Sequence, residues 1–172
     1  MDMATLTQTL WPRGNGPDCP QVYGLLDGAR DEALAPAIWL SSLPSTCLYS
    51  GQLSRSLERA APYLVQLAPE SRFFKTLVDT GWGQSWGIYV VAQPDVTLKA
   101  LRKHFRTLLR VRDAQGKILA FRYYDPRVLR VYMPTCEPHE QSQMLGPAQC
   151  LACESAQGDA LLQFRSTRRR SA

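Results

Sequence analysis

The stretch LRVRDAQGKILAFRYYDPRVLRVYMPT, residues 109–135, carries the strongest fold signals in the chain. Two β-prone runs flank the turn sequence DAQG, in which Gly116 can supply the positive φ that a tight hairpin turn requires. Asp125 and Pro126 then begin a short helix, because a proline in the first turn has no helical N–H bond to lose. Pro134 ends that helix. The stretch therefore predicts a β-hairpin followed directly by a capped helix.

Short strand and helix patterns alternate along the rest of the chain. Runs rich in β-branched and aromatic residues predict strands, and apolar residues at helical spacing predict helices. Strands are predicted at 21–29, 46–51, 63–67, 85–92, 149–153 and 160–166, and helices at 30–42, 54–62, 71–81, 95–109 and 137–146. This order predicts an α/β (α+β) fold in which helices pack on a mixed β-sheet.

The domain organisation predicted from the sequence is that of a single domain with two short flanks. A length of 172 residues is sufficient for one sizeable core. We expect an irregular N-terminal arm over residues 1–20, an α/β domain over residues 21–165 and a basic flexible tail over residues 166–172. Ser71 is predicted to cap the helix that follows it, and Asp95 is predicted to begin the next helix.

The composition is that of an ordinary globular protein, with 45% hydrophobic and 20% charged residues. No apolar run approaches the roughly 18 residues that a membrane-spanning helix needs. The N-terminus also lacks the continuous apolar segment of a secretory signal. We therefore expect a cytoplasmic protein without a membrane partner, whose five cysteines are reduced thiols.

The net charge of +5 is unevenly distributed. Residues 95–135 hold ten Lys/Arg against three Asp/Glu, whereas residues 1–94 hold six against eight. A basic segment on a near-neutral body favours an acidic partner. One predicted helix carries a basic stripe beside an apolar stripe, with spacings of i, i+3, i+4 and i+7. The basic stripe consists of Lys99, Arg102, Lys103 and Arg106.

Three further arginines, Arg122, Arg127 and Arg130, punctuate the stretch quoted first. Two roles are open for them, since they can form ion pairs within the fold or contact a partner. Asp27, at the end of the first predicted strand, is a candidate buried partner for one of them. Together with the basic stripe, these arginines are the residues that we predict to bind a partner through charge-assisted hydrogen bonds to an acidic segment.

The sequence offers few residues in patterns that support catalysis. The chain has two histidines, His104 and His139, and no serine lies in a G-x-S-x-G motif. The glycine-rich GWGQSWG, residues 81–87, lacks the lysine and the strand-then-helix context of a phosphate-binding loop. We therefore predict that the protein is not an enzyme and has neither catalytic residues nor a cofactor.

A structural zinc site is one alternative that the sequence leaves open. Cys136 and His139, followed by Cys150 and Cys153, give the spacing C-x2-H-x10-C-x2-C, which is compatible with zinc. The second pair lies in a predicted strand, where residues three apart point to opposite faces. A zinc-stabilised scaffold therefore requires a turn at the second pair.

A nucleic-acid-binding module is the second alternative. A pI near 9.1 and the RRR run at residues 168–170 are typical of proteins that bind phosphate backbones. Against it, Phe121, Tyr123 and Tyr124 do not match the stacking platform of an RNA-binding sheet. This hypothesis therefore depends on charge alone.

Seven short motifs follow one another along the chain in an order that resembles a known family. They are LLDGA (25–29), LYSG (48–51), APYLV (61–65), GWGQSWG (81–87), HFR (104–106), RVRD (110–113) and FRYYDPRVLRVYMPTC (121–136). Together they resemble the bacterial type VI secretion effector-chaperone, or adaptor, domain, which was long described only as a conserved domain of unknown function. The resemblance covers about residues 21–153.

The resemblance implies a cytoplasmic adaptor without enzymatic activity. Such adaptors bind a secreted toxin effector and help to load it onto the valine-glycine-repeat spike protein (VgrG). The expected partners are therefore an effector and the C-terminal segment of the spike protein. The family does not supply catalytic residues, so the binding surface has to be argued from the physical properties of the residues.

Overall fold

The computed structural model describes residues 1–165, and the predicted basic tail lies outside these described residues. Between residues 1 and 165, no helix is long and apolar enough to cross a bilayer. The helices are α1 (Met3–Leu10), α2 (Leu34–Leu40), α3 (Arg55–Arg59), α4 (Arg72–Asp79), α5 (Leu98–Thr107), α6 (Pro126–Tyr132), the 3-10 helix η1 (Met133–Thr135) and α7 (Pro138–Leu145). The strands are β1 (Gln21–Asp27), β2 (Ser45–Cys47), β3 (Pro62–Gln66), β4 (Gly87–Ala92), β5 (Arg110–Arg112), β6 (Ile118–Ala120), β7 (Ala148–Glu154) and β8 (Leu161–Arg165).

Six of these strands form one sheet in the order β2-β3-β1-β4-β7-β8. The predicted α+β fold is confirmed, but the expected mixed sheet is wrong, because all neighbouring strands in the described chain are antiparallel. Helix α2 connects β1 to β2 and helix α4 connects β3 to β4, and each connected pair runs in one direction. An antiparallel strand lies between the two members of each pair, so neither connection creates parallel neighbours.

Helices cover both faces of this sheet. Because side chains alternate along each strand, every strand can contribute to two hydrophobic cores, one on each face. On β1, Val22 and Leu26 pack with α1, α2 and α4. Tyr23 and Leu25 point to the opposite face and pack with α5, α6 and α7. Burial on both faces explains why β1 reads as a continuous apolar run rather than an alternating one.

Helix α1 contradicts the predicted irregular arm. Asp2 caps this helix by accepting a hydrogen bond from the Thr5 N–H at 2.9 Å, and Leu6 is fully buried. Trp11, directly after the helix, packs edge-on against Phe74 of α4 with ring centroids 5.0 Å apart. The prolines and glycines that suggested an arm all follow the helix, and α4 completes its apolar contacts.

The predicted helix starts are confirmed in two of three cases. The side chains of Ser71 and Asp125 each accept a hydrogen bond from a backbone N–H in the first turn, at 3.1 and 2.9 Å. The prediction for Asp95 is wrong, because Thr97 caps α5 instead. Asp95 lies in the preceding turn, which the N–H of Val96 closes by donating to the carbonyl of residue 93 at 3.0 Å.

The predicted hairpin is confirmed, with β5 and β6 paired and Gly116 at a φ of 81°. It forms a separate two-stranded sheet beside the main one. Every residue of both strands is exposed, including the apolar Val111, Ile118 and Leu119. The hairpin therefore presents apolar side chains that the described part of the chain does not bury.

Candidate functional site

Asp27 and Arg122 join the end of β1 to the segment that follows β6. Asp27 is fully buried, and its Oδ2 accepts a short, charge-assisted hydrogen bond from the Arg122 guanidinium. The Asp27 Oδ1 accepts a second bond from the Ala29 N–H at 3.2 Å. The hydrogen bond with Asp27 raises the pKa of Arg122. Arg122 therefore forms an ion pair within the fold, which is one of the two roles that the sequence left open. About half of its side chain stays exposed.

Asp125 and Arg127 form a second internal ion pair at the start of α6. The Arg127 Nη2 donates to the Asp125 Oδ2 at 2.6 Å, and its Nε donates to Oδ1 at 3.0 Å. Burial by itself would raise the pKa of Asp125, but the hydrogen bonds from the Arg127 side chain and backbone outweigh burial and lower it. Arg127 thus holds the carboxylate that caps α6.

Arg102 closes the outer edge of the sheet at β2. The backbone groups of Pro44 and Leu48 bond to β3, at 2.8 and 2.9 Å. Because alternate residues of a strand face opposite sides, the carbonyls of Cys47 and Tyr49 point away from β3. The Arg102 Nε donates to the Cys47 carbonyl at 2.8 Å, and its Nη2 donates to the Tyr49 carbonyl at 3.3 Å. Arg102 therefore occupies an edge that another strand would otherwise extend.

Replacing Arg102 by methionine should lower the free energy of unfolding by about 1.5 kcal/mol, because two edge carbonyls lose a charged donor. Urea unfolding measures this change. The matched control is Lys103→Met on the same helix, since Lys103 is exposed and makes no ion pair within residues 1–165. The control should change stability by less than about 0.5 kcal/mol. Equal losses in both variants would contradict the edge role of Arg102.

The seven basic residues predicted to bind a partner do not form one surface. Arg102, Arg122 and Arg127 make the internal contacts described above. The remaining four are Lys99, Lys103, Arg106 and Arg130, and within residues 1–165 none of these four has a carboxylate at ion-pair distance. Lys99 and Lys103 are exposed on α5, and Arg130 is half-buried on α6. The structure brings only Arg106 and Arg122 together, on one groove.

This groove lies between the β5–β6 hairpin and the segment that leads into α3, and its volume is about 870 Å³. One wall is a face of the hairpin that carries Arg110, Ile118 and Ala120. The strand register places these three on one side, because Arg110 pairs with Ala120. Leu53 and Leu57 belong to the opposite wall. We call this feature the hairpin groove.

The floor of the hairpin groove is aromatic, and one of its ends is charged. Tyr124 is buried at the floor, and burial raises the pKa of its phenol, so the group stays neutral at physiological pH. Tyr49, whose carbonyl Arg102 holds, also lines the groove. The ion pair between Asp27 and Arg122 lies at one end. The groove thus joins the Asp27–Arg122 ion pair, and the Tyr49 backbone that Arg102 holds, to the exposed hairpin.

The hairpin groove combines exposed apolar side chains with a positive charge. Leu57 on one wall is 44% exposed, and Ile118 on the other is 53% exposed. The charged lining consists of Arg106, Arg110 and Arg122 against a single acid, which is already paired with Arg122. An apolar patch with a basic margin is typical of a surface that binds another protein.

The geometry of β7 does not fit the zinc alternative. Cys150 packs into the core on one face of the sheet, and Cys153 packs into the core on the other face. Burial raises the pKa of Cys153 to about 12, which disfavours the thiolate that zinc binds. Over the described residues, no three metal-ligating side chains cluster, so Cys136 and His139 do not complete a site with them either.

A family model for a domain of unknown function (DUF4123) matches residues 22–143 of the chain. These 122 residues make up more than two thirds of its length. The chain belongs to the DUF4123 family. No curated protein and no solved structure matches it. Every residue that lines the hairpin groove falls inside the part of this DUF4123 protein that the family model covers.

Sequence reasoning about this DUF4123 protein missed Arg110, Leu57 and Ile118 as groove residues. Arg110 could have been found, because the hairpin pattern already places it on the same face as Ile118. Leu57 gave no signal, since it belongs to a five-residue helix in which no residue is buried. Leu57 lines the groove because of the way α3 lies beside β3. The residue pattern within α3 does not predict this position.

Proposed function

We propose that this DUF4123 protein is a non-enzymatic adaptor that binds a type VI secretion effector and helps to load it onto the valine-glycine-repeat spike protein. The ordered motifs that resemble effector chaperones support this proposal. The hairpin groove is the observation that carries it, because it supplies a surface suited to a protein segment. Its lining mixes exposed leucine and isoleucine side chains with arginines, as protein interfaces do.

The shape of the groove supports a macromolecular partner rather than a small substrate. Small-molecule sites enclose most of their ligand, and a few converging polar groups orient it. The hairpin groove is bounded by two walls that are separate elements, and its exposed apolar residues lie on both of them. The two buried acids near it, Asp27 and Asp125, are each neutralised by an arginine, so neither is a free acid or base.

Co-purification with the effector and spike proteins encoded beside this chain tests the proposal. We expect a stable complex for the native protein. The double variant Leu57→Asp/Ile118→Asp should lower complex recovery by about tenfold or more, because it places charge on both apolar walls. Val131→Asp is the matched control, since Val131 is 67% exposed on α6 and does not line the groove.

Three outcomes would count against this adaptor role. A monodisperse native protein that binds neither effector nor spike would refute it. Equal losses in the groove variant and the Val131→Asp control would remove the groove from the interface. Sequence- or structure-selective binding of nucleic acid that survives moderate salt would favour the nucleic-acid alternative, since binding driven by charge alone weakens steeply with salt.

A further inference from the structure

We infer that the hairpin groove binds an amphipathic helix of the partner whose apolar stripe is flanked by acidic residues. This inference rests on the proposed adaptor function and names the chemistry of the segment that the groove accepts. Three properties of the groove support it: the cations without an acid partner, the closed strand edge and the two apolar walls.

The positive charge of the hairpin groove favours acidic residues on the partner. Arg122 is neutralised by Asp27, so the positive charge available to a ligand comes from Arg106 and Arg110. Among residues 1–165, neither of these two has a carboxylate within ion-pair distance. Arg106 lies near the end of α5, Arg110 begins β5, and both line the groove. A partner therefore gains charge-assisted hydrogen bonds when its carboxylates lie beside these two arginines.

The strand edge at β2, beside the groove, bears on the backbone conformation of the partner. An extended segment needs an unpaired strand edge, because buried backbone N–H and C=O groups require hydrogen-bond partners. The hairpin turns a face toward the groove, since residues of both β5 and β6 line it. The outward carbonyls of Cys47, at the end of β2, and of Tyr49, just after it, already accept hydrogen bonds from Arg102. The edge at β2 is therefore not available to an extended segment, which favours a helix, because the backbone bonds of a helix are internal.

The apolar side chains of the hairpin groove suit an apolar stripe on the partner. Leu57 of α3 and Ile118 of the hairpin both line the groove and are exposed, and the buried Tyr124 lines it as well. A helix with apolar residues at i, i+3, i+4 and i+7 presents a stripe that fits such a lining. Its acidic residues then flank the stripe on the side of Arg106 and Arg110.

A second depression, of about 330 Å³, is less suited to an amphipathic helix than the hairpin groove is. It lies between the segment after α1 and strands β4, β7 and β8. Its charged lining consists of Asp18, Arg13 and Arg165, so it is less positive than the hairpin groove, which has three arginines and one acid. The large apolar side chains in its lining are Leu10, Trp11 and Val91. Of these, Leu10 and Trp11 are buried in the core.

The test uses a synthetic amphipathic peptide of about 18 residues, long enough to form a helix on binding. It carries leucine at i, i+3, i+4 and i+7 and glutamate along one flank. A second peptide has lysine in place of glutamate, and a third has proline at its centre. Fluorescence anisotropy should show saturable binding of the acidic peptide, and circular dichroism should show a gain of helix. The other two peptides should bind about tenfold more weakly or worse.

Charge reversal on the protein tests the assigned arginines. Arg106→Glu/Arg110→Glu should weaken binding of the acidic peptide by about tenfold or more and should strengthen binding of the lysine peptide. Lys99→Glu/Lys103→Glu makes the same change in net charge on the exposed part of α5 and is the matched control. Stronger binding of the lysine peptide also shows that the Arg106/Arg110 variant is folded.

The outcomes separate this inference from the adaptor proposal. Absence of saturable binding by the acidic peptide, equal losses in both reversed pairs, or tolerance of the central proline would each overturn the helix-in-groove assignment. If the native protein co-purifies with its effector or spike and the Arg106→Glu/Arg110→Glu variant does so equally well, the inference fails while the adaptor role stands. If the native protein co-purifies with neither, the adaptor role itself fails.

Discussion

Arg122→Ala is expected to lower the free energy of unfolding by about 3 kcal/mol, because it leaves the buried carboxylate of Asp27 without its cation. The Asp27 side chain is 1% exposed, so water does not replace the lost donor without opening the structure. The Ala29 N–H remains as one hydrogen-bond donor, which does not compensate a full charge. Chemical denaturation followed by circular dichroism measures the change.

Arg127→Ala provides the matched control for this prediction. Arg127 pairs with Asp125 only two residues away, and about half of the side chain is exposed. Asp125 also accepts from the backbone N–H of the first turn, so its cap survives the substitution. We expect a loss of about 1 kcal/mol or less. Combining Arg122→Ala with Asp27→Asn should recover part of the lost stability, because the buried charge is then removed. No recovery in the double variant would show that the ion pair is not the cause.

The Asp27–Arg122 pair shows what the sequence could predict about this site. Asp27 ends an apolar strand, where burial of its charge would require a cationic partner, and the arginine-rich stretch at 121–135 offered candidates. Which arginine pairs with Asp27 depends on where the segment after β6 contacts the end of β1. This contact joins positions 95 residues apart, and no periodic pattern in the sequence predicts it.

The basic stripe on α5 shows the limit of reasoning from one element. Helical spacing correctly places Lys99, Arg102, Lys103 and Arg106 near one another along α5. Their environments differ because β2 lies beside only part of the helix. Arg102 reaches its carbonyls, Arg106 lines the groove, and the lysines stay exposed. Charge pattern identifies a basic helix, whereas the neighbouring strand decides which of its residues are free to bind.

Gly28→Ala is the second substitution for which we expect a large effect, a loss of about 3 kcal/mol in the free energy of unfolding. A Cβ at Gly28 would lie 2.2 Å from the carbonyl oxygen of Arg59 and 2.7 Å from that of Ala61. Both atoms are backbone, so no side-chain rotation relieves the clash. The Gly28 N–H also donates to the Ala61 carbonyl at 3.0 Å, and this bond keeps the two segments close.

Gly16→Ala is the matched control, because its nearest neighbour to a new Cβ would be the Cys19 Sγ at 3.7 Å. It should change stability by less than about 0.5 kcal/mol. The Gly28 substitution should also weaken peptide binding, since the end of α3 and the Asp27–Arg122 pair both border the hairpin groove. Thermal unfolding and anisotropy on the same samples separate the two effects. If Gly28→Ala matches the control in both measurements, the close contact between the end of β1 and α3 does not shape the groove.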